Sequence, residues 1–289
     1  MDISRGRRPA GSHPRSDLRL EQALVSGITT GAAPRRTEVR VAANLFANLT
    51  ARNIRIKYRG SILGVFWTLL NPLVMMAIYT VVFSLIVRVA IHPYFLFLLA
   101  GLIPWTAFNQ GLTLSAVSIV SNAPLVKKVY FRLELLPLSE VATAGINFGI
   151  SLGLVVLGVL IYRRGLDITI VLLPLLVALQ LLFMAGLGLA LSALTCYFRD
   201  IEYILNLGLV AWFYGTPVIY PRSLVPARLQ VFLDINPMSW LIGAYQDVIF
   251  YQRWPDPRRV LGFAVVTALV CAGSWLWFHR VRPDIPEEL

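Results

Sequence analysis

Six stretches of the chain, 60–87, 89–126, 141–162, 168–198, 203–221 and 260–279, contain no Asp, Glu, Lys or Arg. A helix that spans a bilayer needs about 20 mostly apolar residues, and each stretch has room for one. The second is the longest, but His92-Pro93 and Ser121-Asn122-Ala123-Pro124 are turn signals at its two ends. The spacing therefore predicts helices near 63–87, 94–118, 140–161, 170–194, 202–220 and 260–279. Composition agrees, with 57% hydrophobic and 14% charged residues, where a soluble domain carries about 25% charged. A water-soluble chain of this kind would have nowhere to bury its apolar surface, which excludes a soluble enzyme. Disorder over most of the chain is excluded too, because it requires low hydrophobicity. The expected fold is an all-α integral membrane protein with six transmembrane helices.

Charge sets the expected orientation. The 26 Lys and Arg against 15 Asp and Glu give +11. In a soluble protein this would suggest nucleic acid, but no basic, aromatic-studded soluble module is present, so no nucleic-acid partner is expected. Basic residues instead retain loops in the cytosol and meet anionic lipid. Arg40, Arg52, Arg55, Lys57 and Arg59 cluster before the first span, and Lys127, Lys128 and Arg132 follow the second. Both termini are therefore expected in the cytosol. Residues 1–37 are rich in Arg, Pro, Gly and Ser and lack the apolar core of a signal peptide. They read as a disordered basic cytosolic tail, with a regulatory docking tail as the alternative.

Residues 38–61 change character. Ala42, Leu45, Phe46, Leu49 and Ile56 recur at helical spacing beside the basic residues, the pattern of an amphipathic helix in the membrane interface. A plain cytosolic cap on the first span is the alternative. The loop 121–137 offers Asn122 as a capping residue, Pro124 in a first turn, and the apolar Leu125, Val126, Val129 and Tyr130 beside Lys127 and Lys128. It reads either as a short rigid helix able to transmit movement or as a basic loop that only fixes topology. The segment 222–256 is long for a simple connection and contains the mostly apolar run Met238–Tyr251. A re-entrant helical region fits it, since backbone at membrane depth must be shielded by protein or line a cavity. Aromatic residues gather toward the expected outer ends of the spans. An interfacial belt is the ordinary reading, and a lining for the flat faces of sugars is the other.

Several chemistries are excluded. Cys196 and Cys271 sit in apolar segments, and His13, His92 and His279 are scattered, so neither metal site nor disulfide framework is expected. No acidic cluster is present for metal and pyrophosphate chemistry. The chain has no Gly-Lys dipeptide and hence no P-loop. The centres of the expected spans lack ionisable Asp, Glu, Lys and Arg, which argues against coupling to an ion gradient. If the protein pumps, the motor is a separate chain.

Six strings, in order, carry a family resemblance. They are Tyr58-Arg59-Gly60-Ser61-Ile62-Leu63-Gly64 with Trp67 and Leu70-Asn71-Pro72; Tyr94-Phe95-Leu96 with Leu99 to Trp105; Asn122 with Leu125 to Phe131; Phe198-Arg199-Asp200-Ile201; Trp212 to Tyr220; and Asn236-Pro237-Met238. Together they resemble the ABC type-2 permeases that export polysaccharides, the transmembrane subunits of the Wzm and TagG type. The resemblance runs from about residue 45 to the C-terminus. It implies a homodimer of six-span subunits working with two copies of an ATP-binding subunit, which would hold the ATP and Mg; no cofactor is expected in this chain. The cargo it implies is a lipid-linked glycan crossing the bacterial inner membrane. Asn122, Pro124, Leu125, Val126, Lys127, Lys128, Val129 and Tyr130 become the residues on which the motor presses. Trp67, Tyr79, Phe83, Trp105, Phe213, Tyr214, Tyr220 and Trp240 become a channel lining or gate. Arg52, Arg55, Lys57 and Arg59 are candidates to receive a pyrophosphate headgroup, although attraction to lipid explains them as well. Arg199 and Asp200 form a cytosolic boundary pair, as an ion pair or as a topology Arg beside an N-cap Asp. One departure stands out: Phe131-Arg132-Leu133-Glu134 lacks the Pro found there in many relatives. An exporter of drugs or small lipids on the same architecture is the nearest alternative, and a membrane scaffold or enzyme of glycan assembly a more distant one.

Overall fold

The computed structural model describes residues 35–60, 66–86, 88, 91–128, 132–163, 165 and 167–289. The tail expected over 1–37 lies outside them apart from 35–37, which open the first helix. The chain divides into two compact units, 1–44 and 45–289. In the first, the described residues are the helical turns at 35–44. The second contains every contact discussed below.

Every regular element is helical among the described residues. They are α1 (Arg35–Tyr58), α2 (Phe66–Thr80, continued by a wide π-helical turn to Ile86), α3 (Tyr94–Ser121), α4 (Ala123–Lys128) and α5 (Leu135–Arg163). There follow α6 (Leu173–Tyr197), α7 (Ile201–Tyr214), α8 (Gln230–Ile235), α9 (Pro237–Gln246), α10 (Pro257–Val281) and α11 (Ile285–Glu288). Four segments are long and apolar enough to cross a membrane: Tyr94–Ser121, Leu135–Tyr162, Ile168–Tyr197 and Pro257–Val281. Leu70–Ser84 and Ile201–Tyr214 are shorter apolar helices.

The centre of the bundle is α3. Leu96, Phe97, Leu98, Ala100, Leu102, Ile103, Phe108 and Leu112 are all buried, so it is apolar on every side, as a helix surrounded by others must be. It packs against α5 and α6, and α6 packs in turn against α10. Small residues allow this closeness. A Cβ on Gly188 would lie 2.9 Å from Ser115 Cβ on α3, and one on Gly186 would lie 3.1 Å from the Cys271 nitrogen on α10. Without a hydrophobic force between helices in lipid, such close packing is a main source of association. Gln180 on α6, fully buried, donates Nε2 to the Pro104 carbonyl at 2.8 Å and ties α6 to α3 inside the apolar core.

The helix expected over 202–220 is shorter than its charge-free stretch. α7 stops at Tyr214, giving 14 residues and a rise of about 21 Å, against a hydrocarbon core of about 30 Å. Two features end it. Thr216 precedes Pro217, which disfavours helical backbone at Thr216. Asn236 then takes up the freed backbone, donating Nδ2 to the Gly215 carbonyl at 3.0 Å and to Thr216 Oγ1 at 2.9 Å. The chain beyond breaks into short turns before α8 and α9. Of these, α9 is buried against α3, α6 and α10.

Candidate functional site

The loop between α3 and α5 builds one end of the bundle. Asn122 is the joint. Its carbonyl accepts the N–H groups of Leu125 at 2.9 Å and Val126 at 3.1 Å, starting α4. The side chain expected to cap α4 does something else: Nδ2 donates back to the Ser118 carbonyl at 2.8 Å, and Oδ1 accepts from an Arg52 NH2 group at 2.8 Å. A cap through the backbone frees the side chain to bind α1. Pro124 is exposed, Leu125 half-buried and Lys127 exposed, while Val126 is buried. Lys128 lies in α4, and Val129 and Tyr130 lie outside the described residues.

Under α4 lies an apolar cluster drawn from distant parts of the chain: Leu49 (α1), Ile119 (α3), Val126 (α4), Leu133 and Leu136, Leu189 (α6), Phe278 (α10) and Ile285 (α11). Further bonds fix α1 along α3 and α5. Asn53 donates to Ser139 Oγ at 3.2 Å, Lys57 to Gln110 Oε1 at 3.2 Å, and the Tyr58 hydroxyl to Asn147 Oδ1 at 2.7 Å. Desolvation lowers the Lys57 pKa, against the opposing pull of Glu140. Glu134, 4% exposed, faces Arg282 at 3.6 Å.

Of the four basic residues expected to meet a headgroup, Arg52 is thus built into the joint and Lys57 is bonded to Gln110. Arg55 and Arg59 are exposed. Ile56, on the expected apolar stripe of α1, is also exposed, whereas Leu45 and Leu49 pack into the cluster.

Six of the eight aromatic candidates meet. Trp105 and Phe213 have ring centroids 5.5 Å apart, Phe213 and Tyr214 5.2 Å, Tyr79 and Phe213 6.2 Å, and Tyr79 and Phe83 6.3 Å. Tyr220 joins them by donating its hydroxyl to the Tyr214 carbonyl at 2.7 Å. Trp105 is 4% exposed and supports Phe213 from behind, so within this chain it offers packing and no open face. Tyr214, at 58% exposed, does offer one. Trp67 lies apart on α2, exposed and without a ring contact to the others among the described residues. Trp240 stands on α9, where Nε1 donates to the Asp234 carbonyl at 2.9 Å.

Comparison with known proteins meets this geometry. The profile of the ABC-2 type transporter family matches residues 44–250. The chain belongs to that family. It is similar to the O-antigen export system permease protein RfbA of Myxococcus xanthus, 32% identical over 247 residues, covering 85% of this chain and 95% of the relative. It is also similar to two proteins of the same description from Klebsiella pneumoniae. One is 32% identical over 206 residues, covering 71% of this chain and 80% of the relative. The other is 30% identical over 231 residues, with 80% and 86% covered.

In this ABC-2 family member, the expected pair Arg199 and Asp200 forms no ion pair among the described residues. Both are turn positions ahead of α7, and the Asp200 side chain caps nothing; its carbonyl accepts the Ile204 N–H at 3.0 Å. Asp200 already has helical backbone angles (φ −67°, ψ −15°), whereas a side-chain cap normally needs an extended residue. Sequence reasoning missed Asn53, Ser139, Glu134, Arg282 and Ile285. One signal was available for Glu134, the lone acid in an otherwise basic loop. Another was the Pro283-Asp284-Ile285-Pro286 string, which turns the chain end back.

Proposed function

We propose that this ABC-2 permease is the membrane subunit of an ATP-driven exporter that moves a lipid-linked polysaccharide from the cytosolic to the outer face of the bacterial inner membrane. O-antigen, teichoic acid, capsule and galactan are the classes of cargo that fit. The names of the similar permeases support the polysaccharide cargo. The ATPase is a separate chain, which holds the ATP and Mg. Two permease copies and two ATP-binding subunits make the working complex. Each permease crosses six times, with α2 and α7 as the first and fifth crossings and both termini cytosolic. In this arrangement α1 lies in the interface, and the region 222–256 re-enters the membrane behind the shield of α3 and α10.

The observation that carries the reading is the mounting of α4. A six-residue helix that only fixed topology would need no partners beyond its charges. Here it is joined through Asn122 to α3 and to Arg52 of α1, and it rests on a cluster that includes α6, α10 and α11. A push on Leu125 and Lys127 therefore reaches α1, α3, α6 and α10 together, as a rigid-body movement requires. The ring group around Phe213 and Tyr214 offers flat apolar faces to sugar C–H groups.

Deletion of the gene tests the function. Loss of cell-surface polysaccharide, restored by the wild-type gene, is the expected result. Unchanged polysaccharide with altered drug sensitivity would overturn it in favour of a small-molecule exporter.

A further inference from the structure

At the end of the bundle opposite α4 lies a cavity of about 210 Å³. Phe97 lines it, and Asn122 is 25 positions further along the same rod, a separation of about 37 Å at helical rise. The cavity wall combines features that apolar packing does not explain. Ser239 lines it, is 6% exposed, and has a hydroxyl without a hydrogen-bond partner. A buried hydroxyl left unpaired is costly unless a water or ligand completes it. Arg222, Arg253 and Arg259 line the wall against a single lining carboxylate, Asp247.

These cations are not equally engaged. Arg222 bonds both oxygens of Asp234 at 2.6 and 2.7 Å, and Arg253 bonds Asp247 at 2.6 Å while lying over the Tyr251 ring at 4.6 Å. Arg259 reaches Asp234 and Asp256 only at 3.7 and 3.8 Å, longer than hydrogen bonds, so its donors remain to be used. Trp240 supplies a ring fixed by its bond to Asp234, with Gly262 so close that a Cβ there would meet the ring at 3.1 Å.

An aromatic ring, a buried unpaired hydroxyl and a guanidinium with spare donors are the groups that recognise a sugar ring and its charge. The volume suits one ring: a cavity of about 150 Å³ already holds benzene. We propose that this cavity is a saccharide subsite for a single pyranose residue carrying an acidic substituent, a step that rests on the polysaccharide-export reading. Ser239 completes a ring hydroxyl, Trp240 packs on the C–H face and Arg259 takes the acidic group.

The test uses the full-length permease with its ATP-binding subunit in nanodiscs. Saturation-transfer NMR is titrated with methyl β-D-glucuronide, methyl β-D-glucoside and inorganic phosphate. The glucuronide is expected to bind more tightly than either control. Ser239→Ala should weaken it about threefold and Arg259→Gln about tenfold, the sizes of a neutral and a charge-assisted hydrogen bond. Arg259→Gln should also bring the glucuronide down to the glucoside. Phosphate binding as tightly as the glucuronide would make this an anion site only and overturn the proposal. So would equal binding of the glucoside to the wild type, absence of binding, or affinities unchanged in both variants. A strain lacking the gene separates the two readings. If surface polysaccharide persists in that strain, the export reading fails. If it is lost while the glucuronide does not bind, the cavity assignment alone fails.

Discussion

From the Asn122 end of α3 toward its middle, side chains from helices far apart in the chain bond to one another: Arg52 to Asn122, Asn53 to Ser139, Tyr58 to Asn147. At the Phe97 end the paired side chains come mostly from the single stretch 212–259: Arg222 with Asp234, Arg253 with Asp247, and Asn236 with Thr216. The long-range bonds there end on backbone carbonyls, from the Tyr94 hydroxyl to Ile219 and from Gln252 to Gly165. The first end ties side chain to side chain across helices, and the second is shaped chiefly within one stretch of chain. The difference suits the two tasks of an exporter, since a place that receives force must move as one body with the spans. A place that meets cargo needs a formed wall and can be assembled largely from one stretch of chain set against α3. The contrast also decides where a substitution is felt.

The largest effect is expected at the chain end. Ile285 is fully buried beneath α4, and Ile285→Asp would strand a carboxylate there, at a cost above about 4 kcal/mol. Thermal unfolding in detergent should show the loss, and the α4 end should become sensitive to protease before the Arg222–Tyr251 region does. Arg282→Ala comes next. It leaves Glu134 buried without its partner at 3.6 Å, at about 3 kcal/mol. Adding Glu134→Ala should recover much of that loss in a double-mutant cycle, and a lack of recovery would show that Arg282 acts through other contacts.

Asn236→Ala tests the opposite end. Asn236 caps α9 through Met238 N at 3.0 Å and accepts from Trp212 Nε1 at 2.8 Å, besides holding Gly215 and Thr216. Its loss should cost about 2 kcal/mol and speed tryptic cleavage at Arg222 and Arg228 without exposing α4. Arg52→Ala should cost less, about 1.5 kcal/mol, yet reduce transport-coupled ATP hydrolysis more than Asn236→Ala does. The reverse order would break the division of labour between the ends.

The smallest effect concerns pH. Arg222, chiefly through its hydrogen bonds, holds the Asp234 carboxyl below the usual carboxylate range. That contribution is fully present above the ordinary carboxylate value near pH 4 and is lost as pH falls through the lower folded value. The pair is half-exposed, so the contribution is small. The difference in unfolding temperature between wild type and Asp234→Asn should be present at pH 6 and shrink toward pH 3.

Much of the bundle was legible because charge-free length reports a helix that must cross lipid. The expectations over 94–118, 140–161, 170–194 and 260–279 have their counterparts in Tyr94–Ser121, Leu135–Tyr162, Ile168–Tyr197 and Pro257–Val281. The same measure misjudged 202–220, because Gly215 and Pro217 are uncharged and break the helix through backbone geometry alone. The position of α4 was readable from Asn122 and Pro124, but its mounting was not. Arg52 and Asn122 lie 70 positions apart, and Asn53 and Ser139 lie 86 apart. No local periodicity reports such a pairing, and Ser139 and Asn147 look incidental within an apolar run. Residues such as Ser239 and Arg259 carry no motif and become notable only through the cavity they share.

On the proposed function, a separate ATPase acts on the α4 end of this permease. A photo-crosslinking amino acid placed at Lys127 and, in a second strain, at Arg228 tests it in intact cells. Both positions lie outside the packed core, Lys127 on α4 and Arg228 at the far end. A crosslink from Lys127 to one ATP-binding protein is expected, and none from Arg228. Crosslinking of that protein from Arg228, or of no ATP-binding protein from Lys127, would contradict it.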